Sequence, residues 1–243
     1  LIYSFVCLSC SYYVIEIILK MRKDFFEYEG SENKMVRKLL KKDFNGVTGG
    51  DLNEALRKLT AYLKSNFVYE ENYANPSYED VEKVLKNRVG NDAGLTKLYA
   101  LMLEQFEVEY QVLVSCNKYD NRLDPKYCSR YTTGEYIIYF PELGTYLYPA
   151  SQVAHYDHVP SWLAGNQALI VTKSVSSPAF MEIESANYKE NITALDIDVK
   201  MDLNNMIEDV CLSVVENAKS GNDFEEFQME LLRLFAMDNP FSE

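Results

Sequence analysis

Leucines recur at helical spacing over residues 51–67 and predict an amphipathic helix. The apolar positions are Leu52, Leu56, Leu59 and Leu63. Asp51 follows Gly49-Gly50, where a carboxylate can cap the first turn. The helix ends in Phe67-Val68-Tyr69, and Asn75-Pro76 breaks the chain soon afterwards.

Two further helices follow on either side of Gly90. Ser77 and Asp80 have the spacing of a capping box, so we expect a short helix over residues 80–87. A longer helix is predicted over residues 95–106, with one apolar stripe facing the core. The stripe consists of Leu95, Leu98, Tyr99, Met102 and Phe106.

From Val108 onwards the pattern becomes that of strands. Residues 108–115 alternate and are rich in β-branched side chains, and residues 135–140 and 145–147 flank a Pro141–Gly144 turn. Residues 192–203 and 207–215 alternate like paired strands, whereas residues 224–237 have helical spacing. Helices followed by an antiparallel sheet predict the α+β class.

The first 19 residues are apolar except for serines and Glu16. No basic stretch precedes the apolar run and no Met starts it, so a signal peptide is not indicated. We predict a strand over residues 2–8, a helix over residues 12–21, and no membrane span in the folded domain. The chain is interpreted as a fragment of a longer precursor, which leaves export open from the residues alone.

The charge narrows the classes of partner. A net charge of −13 argues against nucleic-acid binding, which needs clustered Lys and Arg. The basic stretch over residues 34–42 is better explained as the solvated face of a helix. The 5 cysteines are odd in number, and the Cys7–Cys10 pair has no second pair or nearby His to complete a zinc site.

The sequence EKVLKNRVGNDAGLTKLYALML at residues 82–103 resembles the nucleophile segment of transglutaminase-like (papain-type) domains. In that family a Gly-x-Cys turn places the Cys at the start of a buried helix. Here the turn reads Gly90-Asn91-Asp92, followed by Ala93, so Asp92 (or Ala93, one residue along) stands where the Cys belongs. The resemblance implies a helix-on-sheet core, but without the thiol.

The other two triad positions are also replaced. The family pattern His-x-Ile-x-Tyr-x-Pro falls on Glu135, Ile137, Tyr139 and Pro141, and the Asp-Pro position falls on Tyr148-Pro149. The resemblance extends over about residues 51–171, where residues 159–171 are similar to the connection that precedes a β-rich C-terminal domain in bacterial multidomain members. It divides the chain into a core over residues 1–165 and a β-rich region over residues 166–243 with a terminal helix.

Loss of all three triad residues implies a pseudoenzyme, with Asp92, Glu135 and Tyr148 at the degenerate positions and no cofactor. The resemblance further implies a binding or structural role in a larger bacterial protein exported to the periplasm or the cell surface. Tyrosines of the sheet could line a groove for a peptide, protein or glycan, although alternation places only some of them on one face. These are Tyr136, Tyr139, Tyr146 and Tyr148.

Four alternatives stay open. Asp92 and Glu135 could act as an acid/base pair, although a helix N-cap and an exposed strand end are the simpler roles. A relocated thiol, Cys116 or Cys128, could use His155 or His158 as its base. A metal site at His155, Asp157 and His158 lacks a distant ligand, and an exposed loop explains that cluster better. A mere spacer domain would have no cavity of ligand size.

Overall fold

The computed structural model describes residues 2–43, 51–71, 74–125, 134–151, 156–174, 178–184, 192–200 and 209–217. The helices are α1 (Ile2–Phe26), α2 (Gly30–Asp43), α3 (Leu52–Asn66), α4 (Val81–Asn87) and α5 (Asp92–Gln105), with a short 3₁₀ helix at Pro76–Tyr78. The strands are β1 (Val68–Tyr69), β2 (Val89–Gly90), β3 (Gln111–Ser115), β4 (Glu135–Phe140), β5 (Thr145–Leu147), β6 (Gln167–Val171), β7 (Ala179–Glu182), β8 (Ile192–Lys200) and β9 (Asp209–Asn217).

The main sheet is antiparallel, with the strand order β5-β4-β3-β6-β7. Its side chains alternate between two buried layers, as a period of two requires. Val112 and Ile138 face a core built with α1 and α5, whereas Leu113 and Ile137 face a second core with Leu163. The predicted α+β class is therefore confirmed, with helices packed on one face of an antiparallel sheet.

The helix α5 is the centre of the helical layer. Every residue from Asp92 through Leu103 except Lys97 is buried, so the helix is apolar all round rather than along one stripe. The helix α1 packs against it, and α2 covers both α4 and α5. The basic residues of α2 are exposed while Val36 and Leu40 are buried, which confirms the interpretation of residues 34–42 as a solvated helix face.

The local predictions at the helix ends and at the β4–β5 turn are confirmed in part. As predicted, Asp51 caps α3 by accepting the N–H of Asn53 at 3.1 Å. The cap of α4 differs from the prediction, since Asp80 itself accepts the N–H of Lys83 at 3.1 Å. The β4–β5 connection is a tight turn in which Gly144 has φ +65° and donates its N–H to the Phe140 carbonyl. Glycine adopts this left-handed conformation without steric cost.

Other predictions were wrong. Residues 2–8 are not a strand but belong to α1, because an unbroken apolar run has no period that separates a buried strand from a helix. Ser77 does not start a capping box, since the side chain of Asn75 accepts its N–H and caps the 3₁₀ helix instead. The third strand begins at Gln111 rather than Val108, because residues 106–108 bond back to the end of α5.

The main sheet takes strands from both sides of residue 165, the predicted end of the core region. The strand β6 pairs with β3 through Val112↔Val171 and Val114↔Leu169, and β7 pairs with β6, so both strands belong to the core sheet. The strands β8 and β9 pair with each other over nine residues, as the alternation predicted. The predicted helix over residues 224–237 lies outside the described residues.

No helix in the described ranges is both long and apolar enough to cross a membrane.

Gly94 should tolerate no side chain, because a Cβ there would lie 1.8 Å from the Tyr78 carbonyl oxygen. We expect Gly94→Ala to lower the free energy of unfolding by about 3 kcal/mol, the cost of forcing apart two packed backbones. Gly30→Ala is the matched control, since a Cβ at Gly30 meets nothing within 4 Å. Urea denaturation of both variants measures the difference, and equal stabilities would contradict the expectation.

Candidate functional site

The site is built around the first turn of α5. Asn91, not Asp92, caps this helix: its side-chain oxygen accepts the Gly94 N–H at 2.9 Å. Asp92 is therefore the first helical residue, and its Oδ1 accepts the Ala93 N–H at 2.8 Å. The side chain of Asp92 is only 3 % exposed, so the fold holds a carboxyl group almost out of water.

Glu135 begins β4 opposite Ser115 of β3. It is half-buried and hydrogen-bonded, not the exposed strand end that the simpler interpretation predicted. Tyr148 donates its hydroxyl to Glu135 Oε2 at 2.7 Å, and the side chain of Trp162 also hydrogen-bonds to this carboxylate. The Trp162 ring meets Tyr148 edge-on with 6.0 Å between ring centroids, which fixes the orientation of the phenol.

Asp92, Glu135 and Tyr148, the three predicted triad positions, are near one another. Burial is the main cause that raises the pKa of Asp92 to about 7; the Ala93 N–H opposes the rise, and the charges of Glu135 and Glu79 add to it. Burial also raises the pKa of Glu135, against the hydrogen bonds from Tyr148 and Trp162. Burial and the charge of Glu135 raise the pKa of Tyr148, to which Asp92 also contributes. The sequence-predicted trio therefore forms one electrostatic unit.

Asp92 and Glu135 both line a cleft of about 460 Å³ between α1, α5 and β4. The apolar lining comes from Ile17, Met21, Phe25, Ala93 and Tyr136, with Gly134 beside them. The polar lining comes from Lys20, Asp24, Glu79, Lys97, Asp92 and Glu135. Sequence reasoning missed the wall that α1 provides, because its residues were divided between a strand and a shorter helix.

Residues 40–133 match the sequence model of the Transglutaminase-like superfamily. The chain carries a transglutaminase-like domain. The match includes Asp92 and ends two residues before Glu135, so it covers the position predicted for the nucleophile and neither of the other two predicted triad positions. The helix-on-sheet architecture agrees with the match.

A segment of 45 residues is 44% identical to the protein translocase subunit SecA of Christiangramia forsetii. The segment is 18% of this chain and spans about 4% of the length of that curated relative. No solved structure matches the chain significantly.

The four tyrosines predicted to bind a ligand do not line one groove. Tyr136 faces α1, where its ring lies 5.1 Å from that of Phe25, and it lines the cleft. Tyr146 and Tyr148 are buried on the opposite face of the sheet, and Tyr139 packs there against Tyr146 with 4.9 Å between ring centroids. Of the predicted ligand-binding set, Tyr136 is the member with access to the cleft.

The relocated-thiol alternative gains no support at Cys116. This thiol is buried, its pKa is raised by burial, and its Sγ donates to the backbone carbonyl of Asn121 at 3.2 Å. Within the described part of the chain, no hydrogen bond joins Cys116 to His158, whose Nε2 is buried without a partner. Cys128 and His155 lie outside the described residues, so their predicted roles remain predictions, as does a metal site at residues 155–158.

Replacement of Asp92 by Asn should change how stability depends on pH. Because the folded domain holds the Asp92 proton more tightly than the unfolded chain does, the contribution of this group is complete below about pH 4. It is lost as pH rises through about 7. The full shift would correspond to about 4 kcal/mol, and relaxation around the charge reduces this to about 2 kcal/mol.

Asp92→Asn should therefore be more stable than the unmodified domain by about 2 kcal/mol at about pH 8 and about equally stable at about pH 4. Glu109→Gln, at an exposed carboxylate, is the control and should follow the unmodified domain at both pH values. Thermal denaturation over this pH range measures the difference. A constant offset between Asp92→Asn and the unmodified domain would contradict the assignment.

Proposed function

We propose that this transglutaminase-like domain is catalytically inactive and binds a ligand, a peptide segment in the first place, in the cleft at the start of α5. The observation that carries the proposal is that Asp92 and Glu135 both line that cleft, while Tyr148 is hydrogen-bonded to Glu135 from the other side of the sheet. By resemblance these are the positions of Cys, His and Asp. A buried carboxyl group, a half-buried one and a phenol take the place of a thiol, an imidazole and a carboxylate.

This arrangement does not support thiol chemistry. A catalytic thiolate is favoured at a helix N-terminus and beside an imidazolium. Here the first helical residue is Asp92, and the nearby strand residue is Glu135, which adds negative charge. Negative charge at this place would raise the pKa of a thiol and weaken it as a nucleophile.

Binding is supported by the size and lining of the cleft. A volume of about 460 Å³ is in the range of small-ligand sites, whereas a spacer domain needs no such cavity. The apolar side chains of Ile17, Met21 and Phe25 line the same cleft as the carboxyl groups of Asp92 and Glu135. A peptide side chain with an apolar stem and a polar tip complements such a surface better than a uniformly polar glycan.

The proposal includes a cellular context, namely a larger bacterial protein exported to the periplasm or the cell surface. The resemblance to bacterial multidomain members supports this context. Fractionation of the native cells tests it, and recovery of the protein in the cytoplasmic fraction alone would contradict it.

The position of the binding site can be tested by narrowing the cleft. Gly134 lines it, and a Cβ at Gly134 meets nothing within 4 Å, so Gly134→Trp should fold normally. We expect short peptides selected from a mixed library to raise the Tm of the unmodified domain but not that of Gly134→Trp. Gly30→Trp, at an equally open position outside the cleft, should respond like the unmodified domain.

Binding of selected oligosaccharides instead of peptides would replace the ligand class while keeping the site. Equal binding to Gly134→Trp and Gly30→Trp would contradict the site, and a library without any ligand would contradict the binding role.

The proposed loss of thiol chemistry can be tested by restoring the residues. In Asp92→Cys/Glu135→His the imidazole should stabilise the new thiolate, so iodoacetamide should alkylate position 92 about tenfold faster at about pH 6 than in Asp92→Cys alone. Peptide mass spectrometry separates this thiol from the native cysteines. Ala93→Cys/Glu135→His is the comparison that decides the alignment by one residue. If neither double variant reacts faster than its single variant, the correspondence to a triad is wrong.

A further inference from the structure

Asp92 and Glu135 have no cationic partner in the described part of the chain. Asp92 accepts the backbone N–H of Ala93, and Glu135 accepts from Tyr148 and Trp162, all of them uncharged donors. The described ion pairs join other residues: Lys58 to Glu54, Lys83 to Asp80 and Lys173 to Glu104. A buried carboxylate without a counter-charge is costly, so this site is electrostatically incomplete.

The two lysines of the cleft do not complete it. Lys20 and Lys97 line the same cavity, yet among the described residues neither forms an ion pair with Asp92 or Glu135. Four acids, Asp24, Glu79, Asp92 and Glu135, face these two lysines, so the lining keeps an excess of negative charge. A ligand that enters the cleft therefore meets unneutralised carboxyl groups on its inner side.

The lining of the cleft suits an organic cation better than a metal ion. Within the described ranges, no group of three or more His, Cys, Asp and Glu side chains is placed to hold a metal ion. The carboxyl groups instead share the cleft with Ile17, Met21, Phe25 and the ring of Tyr136. An aliphatic stem with a charged end would pack along this apolar wall and place its charge beside the acids, with an aromatic face nearby.

We propose that the cleft recognises an organic cation, the ammonium or guanidinium group of a peptide side chain, with Asp92 and Glu135 as its counter-charges. This inference rests on the proposed function, since it names the chemistry of the ligand for the same cleft. It goes beyond that function because a peptide could also bind through its backbone or through apolar side chains alone.

Three peptides that differ in one side chain test the inference. They are acetyl-Gly-X-Gly-amide, in which X is lysine, arginine or norleucine, and norleucine keeps the stem of lysine without its charge. Calorimetry at low salt and about pH 8 should show the lysine or arginine peptide binding at least about tenfold more tightly than the norleucine peptide. Asp92→Asn and Glu135→Gln should each remove about tenfold of that preference. Glu109→Gln, outside this cleft and exposed, should leave it unchanged.

The preference should also depend on pH. Since the ionised form of Asp92 binds the cation, affinity should rise between about pH 6 and pH 8, and Asp92→Asn should flatten this rise. The charged and titratable groups that face Asp92 and Glu135 come from every neighbouring element. They are Lys20 and Asp24 of α1, Glu79, Lys97 of α5, Tyr148, and, near Glu135, Glu71 and Asp120.

The outcomes separate this inference from the proposed function. If the norleucine peptide binds as tightly as the lysine peptide, and Gly134→Trp abolishes both, the cleft binds peptides and recognition of a cation is wrong. If no peptide binds at millimolar concentration, the inference is overturned, and the library experiment decides the binding role separately. A preference for lysine or arginine that persists in both carboxylate variants would also overturn it.

Discussion

The close approach of Gly94 to the Tyr78 carbonyl fixes the start of α5, and the site depends on it. The same carbonyl accepts the Asn91 N–H at 3.2 Å, so the last residue of the 3₁₀ helix contacts the start of α5 at both Asn91 and Gly94. Asn91 then caps the helix and is itself fully buried. Asp92 can therefore be held almost out of water, because the backbone on both sides of it is fixed before its own interactions are considered.

The cost of that position is electrostatic. A carboxyl group that is 3 % exposed beside another carboxyl group destabilises the folded domain at neutral pH unless it keeps its proton. Among the described residues the structure offers only partial compensation, through uncharged donors such as Tyr148 and Trp162. Groups that reduce stability in this way are typical of sites that act on something outside the chain. The binding role and the cation inference both follow from this imbalance, which a ligand of opposite charge would relieve.

How far the sequence predicted the structure depended on the kind of signal. Asp51 acts through the residue two positions further on, so its cap could be predicted from local spacing, whereas the spacing before the next helix favoured Ser77 although Asp80 is the cap. At Asn91-Asp92 two adjacent residues were both good caps, and the choice fell to Asn91 because the fold places its backbone against Tyr78. In the first 26 residues the predicted helix over residues 12–21 lies within α1, whereas the predicted strand over residues 2–8 was wrong because an apolar run carries no period of its own. The resemblance brought Asp92, Glu135 and Tyr148 together correctly, whereas Lys20, Asp24 and Trp162 lie far along the chain from Asp92 and had no local signal.

The sequence by itself determined the class of fold, the order of helices before strands, the hairpin at Gly144 and the presence of Asp92 and Ala93 where α5 begins. These features depend on residue type and on spacings shorter than a turn or a strand, which are present in the chain before it folds. Only the tertiary structure decided that β6 lies beside β3, that Tyr136 faces a different side of the sheet from Tyr146 and Tyr148, and that α1 forms a wall of the cleft. It also decided how far Asp92 is buried. The physical reason is that burial and charge interactions depend on which distant segments meet, and a local pattern of residues does not contain that information.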